Sequence, residues 1–99
     1  MSRYALFVEL KAKPGREKDV AEFLVSAAPL AAAETGTVTW HAGRLDTETF
    51  VIFDSFDDEV GREAHLTGPI ANALLANAQS LLAEPPKIRK VDVIADKIP

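Results

Sequence analysis

TVTWHAGRLDTETFVIFDSF, from Thr37 to Phe56, consists of two β-rich runs around the polar triplet Asp46-Thr47-Glu48. Runs of this kind about a short polar turn predict a β-hairpin. In the first run, TVTWHAGRL, alternation sends Val38, Trp40 and Ala42 to one face and Thr39, His41 and Gly43 to the other. The second run, TFVIFDSF, is apolar at almost every position, as in a strand covered on both faces. Asp54 interrupts it. A carboxylate there is costly to bury alone and needs a donor, for which Arg62, His65 and the backbone amides of the next helix are the candidates.

Upstream, YALFVEL from Tyr4 to Leu10 is a second nearly continuous apolar run and reads as a strand, stopped by the turn Pro14-Gly15. From Arg16 the period changes. Val20, Phe23, Leu24, Ala27, Leu30 and Ala31 recur at helical spacing, with Arg16, Glu17, Lys18, Asp19 and Glu22 on the start and outer face. Pro29 is expected to kink this helix or end it near Ala28, leaving the segment to Glu34 as a separate turn. Gly36 breaks the chain before the hairpin.

Downstream of the hairpin, Asp57 and Asp58 are suitable N-caps for a short helix from Glu59 to Leu66. Gly68-Pro69 interrupts it, and Ile70, Leu74, Ala78, Leu81 and Leu82 mark a further amphipathic helix. Pro85-Pro86 ends that helix. KIRKVDVIADK, Lys87 to Lys97, alternates as a last strand with Ile88, Lys90, Asp92 and Ile94 on one face. The order β-α-β-β-α-β predicts an α+β, ferredoxin-like split βαβ fold: one four-stranded antiparallel sheet with the helices on one face. The two-sided strands then pose a problem, because helices cover only one face. A second sheet against the other would solve it, so a homodimer built through the sheet faces is expected.

The chain has 99 residues, enough for one domain spanning 1–99, and a chain of this size buries roughly 65% of its unfolded surface. Its net charge of −4 opposes binding to nucleic acid or anionic lipid, which need clustered Lys and Arg. Without cysteine it has no disulfide framework, thiolate nucleophile or Cys-based metal site. The two histidines and scattered acids form no metal-ligand pattern. The apolar stretch of MSRYALFVELKAK is too short for a signal peptide or a membrane span, so a cytoplasmic location is expected.

Several of these pieces in this order resemble the antibiotic biosynthesis monooxygenase superfamily, which includes quinol and anthrone monooxygenases and heme-degrading enzymes. The pieces are FVELKAKPG, the acid-x-Gly turn ETG before strand two, Asp54 and Phe56 at the places of the acid and the last aromatic in the family's aromatic-x-acid-x-aromatic strand, and Ala64-His65 on the following helix. The resemblance implies a dimeric α/β barrel, with a ligand pocket between the sheet and helices of each protomer and the opposite face forming the dimer. It also implies oxidation of a small electron-rich aromatic, hydroquinone or anthrone-type, without metal, flavin or other cofactor. Heme-degrading relatives carry an Asn on the first strand, which is absent here. The alternatives are a non-catalytic dimeric small-ligand-binding module, or a heme-binding protein using His65.

On the oxygenase reading His65 is the general base and Asp54 its orienter. On the plainer reading the same two residues fix helix to sheet. Trp40 is either a flat wall with an indole donor for an aromatic substrate or core filler. Arg44 shares its parity and is either a site for an anionic oxygen or a solvated strand end. Asn72 is either a donor to a substrate carbonyl or a solvent-facing helix residue.

Overall fold

The computed structural model describes residues 3–97. The chain forms β1 (Tyr4–Lys11), α1 (Glu17–Ala33), β2 (Thr37–Arg44), β3 (Thr49–Phe56), α2 (Glu59–Leu66), α3 (Pro69–Leu81) and β4 (Lys87–Asp92). The strands make one four-stranded sheet in the order β2-β3-β1-β4, antiparallel throughout. This is the α+β, ferredoxin-like arrangement that the alternation of strand and helix periods predicts.

Strand alternation assigns the faces. Leu6, Val8 and Leu10 on β1 and Phe50, Ile52, Asp54 and Phe56 on β3 are all buried, and they share the helix-covered face. Val20 and Leu24 of α1 and Leu74 and Leu81 of α3 close over its centre. Each such side chain, fully buried, contributes about 1.5–3 kcal/mol. The opposite face carries Phe7, Phe53, Val51, Ser55 and, from β4, Val91. No element of the chain among the described residues packs on it, and Phe53 is 37% exposed.

Pro29 neither ends nor divides α1, which continues to Ala33. A proline inside a helix removes one N–H···O bond, here the one to the Val25 carbonyl. Val25 and Pro29 both lie on the exposed side of the helix, where solvent is available to that carbonyl. Buried Ala27 and Ala31 hold the turns on either side against the core. The last strand is also shorter than its alternation suggests. It ends at Asp92, opposite Tyr4, where β1 begins; one more bond, from the Val93 N–H to the Arg3 carbonyl, follows, and Ile94 is 97% exposed. A strand lasts only as long as its partner.

The loop from α1 to β2 packs on the first turn of α2 through two glycines. A Cβ on Gly61 would lie 2.9 Å from the Gly36 carbonyl oxygen, and one on Gly36 would lie 3.0 Å from the Gly61 Cα. Asp58 caps α2 here, its Oδ1 accepting the Gly61 N–H at 2.8 Å. Helix propensity alone makes Gly61→Ala stabilising by about 1 kcal/mol. The clash is expected to reverse the sign, giving a net loss of about 1–2 kcal/mol in urea unfolding.

Candidate functional site

His65 stands on the inner face of α2 with the Phe56 ring 5.4 Å from its own. Both ring nitrogens face carboxylates. Nδ1 lies 2.6 Å from Oε1 of Glu34, the residue that ends α1, and Nε2 lies 2.9 Å from Oδ2 of Asp54 on β3. The Glu34 contact is a directed hydrogen bond, and the same oxygen accepts the Thr37 hydroxyl at 2.7 Å. The Asp54 contact is an ion pair with poor alignment, since neither Asp54 oxygen has an in-line donor among the described residues. Two ionised carboxylates at such distances favour a proton on each ring nitrogen, that is, the imidazolium. Burial is the largest single influence on the ring and opposes its charge; the Asp54 and Glu34 carboxylates together outweigh it and raise its pKa above the ordinary 6.5.

This bridge ties three elements, α1, α2 and β3, at one corner. A cavity of about 310 Å³ opens beside it, lined by His65, Glu34, Thr37 and three glycines, Gly36, Gly61 and Gly68. Arg62, one turn before His65, is also buried and lies over the Tyr4 ring at 5.2 Å; its Nε and Nη1 have no hydrogen-bond partner among the described residues.

A larger cavity, about 520 Å³, lies elsewhere, between α1 and the β2 side of the sheet. Its helix wall is Ala21, Leu24, Val25 and Ala28; its sheet wall is Trp40, Ala42, Gly43, Arg44 and Phe50. Small side chains leave room against the flat indole. Trp40 also packs against Ala27, Ala31 and Ile70, and its indole Nε1 is buried with no acceptor among the described residues. The Arg44 guanidinium lies over the Phe50 ring, 4.8 Å from its centroid. The walls therefore hold one cationic donor, Arg44, and no carboxylate or imidazole. That suits an apolar, flat ligand bearing an anionic or carbonyl oxygen.

The candidate residues thus divide into two groups. Trp40 and Arg44 share the apolar cavity. His65 and Asp54 touch each other but do not line it. Asn72 lines neither cavity; its side-chain amide donates to the Thr67 carbonyl at 3.3 Å, across the break between α2 and α3. For His65 to hold a heme, one of its two carboxylate partners would have to move away. Glu34 is the residue that inspection of the sequence did not single out. Its only local sign is its place in the Glu-Thr-Gly turn, and the 31 positions separating it from His65 hide the pairing.

No family profile matches the chain, and no curated protein does. Among solved structures, it is similar to the NE2512 protein of unknown function from Nitrosomonas europaea, with 56% identity, a TM-score of 0.98, and coverage of 100% of this chain and 96% of that one. It is also similar to a candidate antibiotic biosynthesis monooxygenase from the same organism, at 16% identity and a TM-score of 0.83, covering 93% of this chain and 99% of that one. Another so named, from Deinococcus radiodurans, matches at 18% identity and a TM-score of 0.82 over 97% of this chain and 96% of that one.

The His65 bridge should be visible in stability. Because its pKa is raised on folding, its contribution is fully present below about pH 6.5 and is lost as pH rises through the folded value. Removing the ring by His65→Ala leaves Asp54 buried and unpaired, an expected loss of about 3–5 kcal/mol at pH 6. Thermal melts from pH 6 to pH 9 should show the advantage of wild type over His65→Gln shrinking with rising pH.

Proposed function

Because this chain belongs to the family of the Nitrosomonas europaea NE2512 protein and has the fold of the antibiotic biosynthesis monooxygenase superfamily, we propose that it binds a small electron-rich aromatic in the cavity beside Trp40 and oxidises it with molecular oxygen, without a cofactor. The observation that carries the reading is an apolar cavity of about 520 Å³ walled by Trp40, Phe50 and small side chains, with the single cation Arg44 among its lining residues.

In this reading a hydroquinone or anthrone-type ring lies along the indole. Its oxygen points to the guanidinium of Arg44, which favours the ionised form. For an anthrone, loss of a proton from the ring methylene gives a delocalised anion, with its charge on that oxygen. The anion reduces oxygen by one electron, the two radicals combine at the methylene carbon, and the peroxide so formed loses water. The carbon has then exchanged two hydrogens for one oxygen atom, and the second oxygen atom leaves as water. With both His65 nitrogens committed to carboxylates, we assign His65 and Asp54 to positioning, and the substrate proton to solvent at the open rim.

The lack of a titratable base on the cavity wall favours a second reading, a binding module that releases its ligand unchanged. On either reading the protein is a homodimer, with the open sheet face, Phe7, Val51 and Phe53, against the same face of a second copy. This would remove the exposed apolar surface that the helices leave. Sedimentation equilibrium at micromolar concentration should give a dimer, and Phe53→Lys a monomer.

Trp40 is the only tryptophan, so its fluorescence reports on the cavity directly. Anthrone should quench it, and Arg44→Met should weaken binding roughly tenfold, as expected for one charge-assisted hydrogen bond. Oxygen uptake above autoxidation that falls in Arg44→Met supports the oxygenase; quenching with no uptake supports the binding module; no quenching removes both.

A further inference from the structure

The last turn of α1 is held in an unusual way. Pro29 has no N–H for the Val25 carbonyl, so the segment from Pro29 to Glu34 is joined to the preceding helix by one hydrogen bond fewer than usual. At its far end Glu34 is fastened to His65. Between the two, Ala31 packs with Ala27 and Ile70 against Trp40, the aromatic wall of the larger cavity. The turn is hinged at one end, fastened at the other, and seated on the indole in the middle.

The fastening depends on a proton. When the imidazole is neutral it can donate from only one nitrogen. Asp54 is fully buried and has no other donor among the described residues, whereas the Glu34 side chain is 19% exposed and can turn to water. The remaining N–H therefore stays with Asp54, and Glu34 is the partner released. Other groups near the ring do not replace it. From α2 itself Arg62 is buried over Tyr4 of β1; β2 offers the neutral Thr37 hydroxyl; α3 meets the corner with Pro69 and Ile70.

We propose that the Glu34–His65 contact is a proton-operated latch on the ligand cavity. When His65 gives up its second proton, the turn from Leu30 to Glu34 swings on Pro29, and Ala31 lifts from the inner side of Trp40. This regulation rests on the reading of that cavity as the ligand site. Low pH keeps the cavity closed at its inner end, and rising pH opens it.

The test is acrylamide quenching of Trp40 from pH 5.5 to 9, alongside NMR titration of the His65 ring in a His41→Gln background, which removes the other histidine. The quenching constant should rise at least about twofold with a midpoint matching the His65 titration. Glu34→Gln takes away one of the carboxylates that favour the charged ring, so both midpoints should move down together. His65→Gln should show the high-pH value throughout. If that variant does not fold, the Glu34→Gln shift decides. Quenching that stays flat while His65 titrates overturns the latch.

A ligand arm separates the two readings. The probe is 1-tetralone, a neutral aromatic ketone with no titration of its own in this range, and its affinity should differ at least about threefold between the two ends of the range. A quenching step without tetralone binding leaves the latch standing and removes the ligand site. Equal binding at both ends without a step removes the latch and leaves the site.

Discussion

A carboxylate buried in the middle of a central strand constrains how the rest of this molecule can be arranged. Asp54 has no solvent contact, and burying such a charge alone would cost several kcal/mol. Among the described residues its ion pair is with His65, so α2 lies across β3 with that face inward. The imidazolium so placed has a second nitrogen to satisfy, and Glu34 at the end of α1 satisfies it. One buried acid thereby fixes two helices against the sheet. The close approach of Gly36 and Gly61 completes the same corner, because a Cβ at either glycine would hold the loop and α2 apart.

The corner leaves the rest of α1 free to serve as a wall. Its small residues Ala21 and Ala28 stand off from the sheet rather than filling the space in front of Trp40, and a cavity of about 520 Å³ remains. In a core packed for stability alone such a space would be filled, since voids forfeit contacts on every side. Here the void lies against the Trp40 indole, with the Arg44 guanidinium over Phe50 among its lining residues. The charged cluster and the recess are thus kept apart: charge balance at the α2 corner, an apolar recess at the middle of α1.

The other face of the sheet follows a different logic. Phe7 and Phe53 are register partners there, with Val51 and Val91 on the same surface. Near-continuous apolar strands belong where both faces are covered. Helices on one side alone cannot meet that requirement, and this is the ground on which a second copy is proposed.

How much of this was legible in the sequence depends on the range of each interaction. The hairpin, the helix periods, the Asp58 cap, the parity that puts Trp40 with Arg44 and the order of strands and helices are all set by neighbours within a few residues. The split βαβ fold could therefore be read directly. The need of Asp54 for a partner was also local, since an acid within FVIFDSF demands a donor. Which donor it would find, and that Glu34 would share it, depended on helices packed across the sheet. Pro29 was misleading for the same reason: its local preference is to end a helix, and the burial of Ala27 and Ala31 on either side overrode it. Only the tertiary structure separated His65 from Trp40 and Arg44, because the sequence fixes which face a strand residue takes but not which end of a helix closes over it.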